Sequence, residues 1–89
     1  MANFNDFVTL TYSIQDKKML EDFLFSVTTT KERAELAQRV EIVKRLVAGE
    51  PQQKIATELG VGVATVTRGS KELSQGRFKV LRKQHEQPS

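Results

Sequence analysis

Pro51, Gly60 and Gly62 constrain the fold more tightly than anything else in the chain. They bracket PQQKIATELGVGVATVTRGSKEL, Pro51 to Leu73. Proline suits the first position of a helix, where its missing N–H has no intrahelical partner to lose. From Gln52 to Leu59 nothing interrupts a helix, and Ile55, Ala56 and Leu59 fall on one face. Gly60 stands where a helix end calls for a left-handed residue, and Gly62 loosens the connection. A second helix is predicted from about Ala64, with Val66 and Leu73 inward and Thr65, Thr67 and Arg68 outward. Ala56 is small enough for the two helices to approach, and Val66 plugs the angle between them. Two short helices joined in this way form a helix-turn-helix, whose second member enters the DNA major groove. The plain alternative is an αα-hairpin used only for packing. Against it, the outer face of the second helix carries hydroxyls and cations (Thr65, Thr67, Arg68, Ser70, Lys71), groups that donate to phosphates and base edges.

Upstream, Phe4, Phe7, Val8, Leu10 and Tyr12 are read as an amphipathic helix over about Asn5 to Ile14. A strand would need a partner, and none is evident. Asp16 can cap a second helix, in which Met19, Leu20, Phe23, Leu24 and Val27 make a broad apolar stripe. Thr29 and Glu32 have capping-box spacing and open the longest helix, about Thr30 to Ala48. Leu36, Val40, Val43 and Val47 form its stripe, widened by Ala37, Ile42 and Leu46, so more than one face is expected to be buried. Lys31, Glu35, Gln38, Glu41, Lys44 and Arg45 occupy much of the rest, and Arg33 and Arg39 read by themselves as exposed helix arginines. After Ser74, Gln75 and Gly76 comes a short basic helix, 77–85, whose Phe78 and Leu81 could dock on a partner subunit. A polar tail ending HEQPS closes the chain.

Eighty-nine residues make one domain at most, and a chain this short gains much from dimerisation. The absence of cysteine excludes disulfides and thiolate metal sites, and a net charge of +3 is compatible with a nucleic-acid partner. No apolar run approaches the length of a membrane span, which takes about 20 residues, and no signal-peptide pattern opens the chain. A cytoplasmic protein without a membrane role is the expectation. Carboxylates are scattered, the single histidine, His85, lies in the tail, and GVG before a helix is no phosphate loop. Neither an enzyme nor a metal site is expected.

At VATVTRGS (Val63 to Ser70) the chain resembles the tryptophan operon repressor family of small dimeric proteins. The resemblance extends through TTTKERAELAQRVEIVKRLVAGE (Thr28 to Glu50) and covers roughly Phe7 to Leu73. It implies an all-α fold: short helices around one long central helix, a helix-turn-helix, and an intertwined homodimer. In these terms residues 1–89 form a single domain, with dimerisation and core helices at 5–48, the DNA-binding motif at 51–73 and the closing helix at 77–85.

The function implied is a DNA-binding transcriptional repressor whose operator binding depends on L-tryptophan as corepressor, with no other cofactor. Arg39, in QRV, would lie along one face of the indole, a suitable role for a planar guanidinium. Arg68 would hold the ligand carboxylate, Gly69 would leave room beside the ring, and Thr65 would line the pocket. Backbone carbonyls before the central helix would take the ammonium, which assigns Ser26 and Thr28, with Thr29 nearby. Glu72 stands near the ammonium where the family has a serine. For double-stranded operator DNA, Val63, Ala64, Thr65, Thr67 and Arg68 match the reading positions, with Gln53, Lys54 and Lys71 available for phosphates. Two such heads must lie about 34 Å apart to meet successive major grooves. The chain departs from the family pattern elsewhere too. It is one residue shorter between Gly49 and Ile55, so Gln53 falls at a family arginine; Ala56 replaces a lysine, and Ser26 and Thr28 replace leucines. Two other readings follow from these departures: a related DNA-binding regulator with a different ligand or none, and a helical dimerisation or adaptor module without a DNA role.

Overall fold

A computed structural model describes residues 1–87; the expected polar tail continues over Pro88 and Ser89, which lie outside the described residues. The described residues are all-helical, with six helices and no strand: α1 (Phe4–Ser13), α2 (Lys17–Val27), α3 (Thr30–Val47), α4 (Gln52–Leu59), α5 (Val63–Ser74) and α6 (Lys79–Glu86). None of these helices is long and apolar enough to cross a membrane. Two compact units are distinguished, one ending at Ala34 and the other beginning at Glu35.

The amino-terminal unit holds α1, α2 and the first turn of α3. The Asn3 side chain accepts from the Asp6 amide and caps α1; Asp16 accepts from Met19 and caps α2. The capping box of α3 forms as its spacing predicts. The Glu32 amide donates to Thr29 Oγ1 at 3.1 Å and the Thr29 amide donates to Glu32 Oε1 at 2.8 Å. Phe7 stacks on Phe23 with ring centroids 5.7 Å apart. Arg33 is not the free surface arginine that the sequence suggests. Its Nη1 donates to the Phe25 and Thr28 carbonyls at 3.0 and 2.7 Å, and its guanidinium lies 3.7 Å over the Phe25 ring. Yet α1 and α2 contain no buried residue, and Phe4, Leu10, Tyr12, Met19, Phe25 and Val27 are all exposed. This unit has apolar surface but no core.

The second unit has the core. Ile42 of α3, Ile55 and Ala56 of α4 and Val66 of α5 cluster together, with Leu46, Leu59 and Val61 packed against them. Ile55 and Val66 are 0% exposed, so Val66 does plug the angle between the helices of the motif. Gly60 takes φ 67°, ψ 35°, the left-handed conformation that glycine adopts without steric cost. The Val61 amide then donates to the Ala56 carbonyl at 3.0 Å, while Val61 joins the apolar cluster. Hydrogen bond and hydrophobic contact together stop α4 and aim the chain into α5. Gly62 contributes no special backbone: its φ of −69° is open to any residue.

Arg45 ties α3 to α4. Its guanidinium pairs with Glu41 at 3.0 Å, with Glu58 of α4 and, at 3.6 Å, with Glu50. The hydrogen bonds from Glu41 and Glu58 raise its already high pKa, so the link stays charged at any working pH.

Several expectations shift. Pro51 is the N-cap of α4, with extended ψ of 145°, and Gln52 takes the first helical position. Helix α5 starts at Val63 and α1 at Phe4, each one residue early. Only Ile42 and Val43 of α3 are buried; Leu36 and Val40 are 48% and 41% exposed, because their face has no cover within one chain. Phe78 lies outside α6, at its N-cap, with φ 59°. It therefore does not form a helical stripe with Leu81.

Removing the Ile55 side chain beyond Cβ would leave a void at the junction of three helices. Ile55→Ala is expected to lower stability by about 2–5 kcal/mol, read from urea denaturation at a fixed protein concentration.

Candidate functional site

The helical period sets two facing stripes. On α3, Glu35, Gln38, Arg39, Ile42 and Val43 recur at i, i+3, i+4, i+7 and i+8; on α5, Thr65, Arg68, Gly69 and Glu72 recur at i, i+3, i+4 and i+7. Between these stripes, with Phe78 adding a wall, lies a cavity of about 330 Å³. That is near the lower end of the roughly 300–1,000 Å³ typical of small-molecule sites. Ile42 and Val43 are buried and give it an apolar floor.

Gly69 lets α5 approach α3. A Cβ placed there would lie 3.4 Å from Ile42 Cγ2 and Leu46 Cδ1 and 3.5 Å from Val43 Cγ2. The sequence assigns Gly69 only the task of leaving room for a ligand; the structure adds close approach of two helices as a second. Phe78 reaches the cavity from an unusual backbone. The Arg77 amide donates to the Glu72 carbonyl and the Gly76 amide to that of Leu73, closing α5. Phe78 then adopts a left-handed conformation, which costs a non-glycine residue roughly 1–2 kcal/mol. The turn into α6 is held by Arg82 Nη2, which donates to the Leu73 carbonyl at 2.9 Å.

The polar rim carries both charges. Arg39 is 3.9 Å from Glu35, and Glu72 is 3.8 Å from Arg77 Nε, both beyond hydrogen-bond reach. Arg68 has no carboxylate partner among the described residues. Two guanidinium groups and two loosely held carboxylates thus surround an apolar slot, a combination suited to a zwitterion with a bulky apolar group.

Of the eight ligand positions inferred from sequence, Arg39, Thr65, Arg68, Gly69 and Glu72 line this cavity. Ser26, Thr28 and Thr29 are in the amino-terminal unit and are not among its lining residues. Ser26 Oγ donates to the Asp22 carbonyl, Thr28 Oγ1 to that of Leu24, and Thr29 is the cap of α3. Sequence reasoning missed Phe78 as a wall, and it read Glu35 and Gln38 only as solvated helix positions. Their i, i+4 and i+1, i+4 relation to Arg39 and Ile42 was the available signal.

The eight DNA positions, Gln53, Lys54, Val63, Ala64, Thr65, Thr67, Arg68 and Lys71, are all exposed. Two are partly engaged. Thr67 Oγ1 donates to Gln52 Oε1 at 2.7 Å, binding α5 to the first turn of α4, and Lys54 lies 3.9 Å from Glu50. Gln52, which no sequence pattern singles out, is thereby oriented beside the reading helix.

Comparison with known proteins decides the family. The family model described as Trp repressor protein matches residues 2–85. The chain belongs to the Trp repressor family. This is a family of non-enzymatic transcription regulators, and the chain is accordingly a Trp-repressor-like regulator. A Trp operon repressor homolog of Vibrio campbellii is 42% identical over 72 residues, covering 80% of this chain and 72% of the relative. Homologs of the same name from Chlamydia trachomatis are 38% identical: over 73 residues in serovar D, covering 81% and 78% of the two chains, and over 81 residues in serovar L2, covering 88% and 86%.

The close approach at Gly69 predicts a graded response within this family member. Gly69→Ala is expected to keep the fold, since a methyl group just reaches van der Waals distance. Gly69→Leu forces a larger side chain into Ile42 and Leu46 and should cost about 1–3 kcal/mol, measured by thermal denaturation followed by circular dichroism.

Proposed function

We propose that this chain is a homodimeric repressor that binds double-stranded operator DNA when L-tryptophan occupies the cavity between α3 and α5. The observation that carries the reading is the meeting of Arg39 and Arg68 across an apolar cavity whose other lining includes Thr65 and Gly69. The indole fits the apolar floor with Arg39 along one face, and Arg68 takes the carboxylate through charge-assisted hydrogen bonds. On DNA, α5 enters the major groove with Val63, Ala64, Thr65, Thr67 and Arg68 toward the bases, while Gln53, Lys54 and Lys71 reach phosphates. Water-mediated base contacts are a documented property of the Trp repressor that serves as a standard example of them.

Dimerisation completes the reading as one domain shared by two chains. The exposed apolar residues of α1 and α2, together with Leu36 and Val40 of α3, need a cover, and a second copy would supply it with two-fold symmetry. Two heads also convert a small DNA contact into a bivalent one. A chain that sediments as a monomer at micromolar concentration would remove this part of the proposal. Glu72, at a family serine, supports a second reading, in which the same DNA-binding regulator takes another ligand or none.

Two measurements test the proposal. The chain contains no tryptophan, so indole fluorescence reports bound ligand directly. Saturable binding of about one L-tryptophan per chain is expected, weakened tenfold or more in Arg68→Ala. Absence of binding at millimolar ligand would leave only the second reading. In operator binding followed against salt, Lys71→Ala is expected to make the logarithmic slope shallower by about 1 for each phosphate that the variant no longer neutralises. A slope that Lys71→Ala leaves unchanged would remove that residue from the interface.

A further inference from the structure

The cavity's charges are arranged more specifically than a tryptophan pocket held by backbone carbonyls would require. Arg68 and Glu72 lie one turn apart on the cavity face of α5. At that spacing, opposite charges on a helix can pair with each other. Here they do not: the cation nearest Glu72 is Arg77, at 3.8 Å, and the Glu72 side chain is 43% exposed. The carboxylate and ammonium of an α-amino acid hang from one carbon, so a cation and an anion one helical turn apart can grip both. Meanwhile the Thr28 carbonyl, assigned to the ammonium by family resemblance, already accepts from Arg33 Nη1 at 2.7 Å, with the Phe25 carbonyl held by the same nitrogen at 3.0 Å.

We propose that Glu72 is the ammonium acceptor of this cavity, so that α5 alone reads the zwitterion: Arg68 the carboxylate, Glu72 the ammonium. The ligand class follows as an α-amino acid with a bulky apolar side chain, discriminated from the same acid without its amine. Binding exchanges the loose Arg77 pairing for the ligand ammonium. The inference rests on the proposed L-tryptophan site.

Calorimetric titration of the full chain with L-tryptophan and with indolepropionate, the same molecule lacking the ammonium, tests it. The wild-type chain is expected to prefer L-tryptophan by about tenfold, the lower end of the range for a charged hydrogen bond because the carboxylate is 43% exposed and screened. Glu72→Gln keeps the side-chain shape and removes the charge. It should bring the two affinities within a few fold by losing L-tryptophan affinity, with indolepropionate binding retained as evidence of an intact pocket. A wild-type chain that binds both ligands equally overturns the proposal whatever the variant does. So does an undiminished preference in Glu72→Gln, which would leave the L-tryptophan reading standing and return the ammonium to the backbone. Binding of neither ligand by the wild-type chain defeats the tryptophan site itself, and the role of Glu72 with it.

Discussion

Everything positioned in the second unit depends on one packing junction, where Ile42, Ile55 and Val66 from three successive helices exclude water from one another. Each is 2% exposed or less, so none can be shortened without leaving a void. The junction sets the angle of α4 to α5 and holds both against α3. Once that angle is set, the helical period alone turns Thr65, Arg68 and Glu72 toward the cavity. The Arg45 cluster and the Gln52–Thr67 hydrogen bond add direction to the same joint at its polar margins.

The amino-terminal unit poses the opposite problem. Its helices are capped, its aromatic rings stack and Arg33 closes its last turn, yet none of its helical side chains in α1 or α2 is buried. Local hydrogen bonds stabilise helices by modest amounts, and short helices draw most of their stability from packing an apolar face. The proposed dimer supplies that packing from outside the chain. On this view the division between the two units is a division of labour: one half offers surface to a second copy, and the other builds a site around its own core.

What could be read from sequence follows from how far each signal reaches along the chain. Asp16, the Thr29–Glu32 box and Gly60 act within a few residues, and the structure realises each where its spacing placed it. Val66 and Ala56 were legible because the helix-turn-helix geometry fixes the partner of each position in advance. Arg33 and Arg45 were not, since their partners come from other turns and other helices and a lone arginine on a helix face carries no mark of them. Phe78 was the largest loss. A hydrophobic residue three before Leu81 reads as one more helical position, whereas two left-handed residues in three, Gly76 and Phe78, swing it out of α6 and into the cavity wall. The cavity's cationic pair came through the family resemblance; its anionic side became visible only when Glu35 and Glu72 were seen across the same slot.

The proposed function places two tasks on a single helix. Thr65, Arg68, Gly69 and Glu72 define the cavity face of α5, while Ala64, Thr67 and Lys71 turn another face outward. Gly69 already holds α5 at van der Waals distance from α3, which leaves the helix little freedom to move inward. A ligand beside that point of approach therefore acts on the orientation of a rigid element, and the outward face must follow because it is part of the same helix. The energy available is only the difference in ligand affinity between the two orientations, however tightly the ligand binds in either. By linkage, whatever factor the ligand adds to operator affinity, the operator adds to ligand affinity. A charge pair that reads the zwitterion from α5 itself strengthens this coupling, because the ligand's grip and the DNA-reading face then belong to one helix.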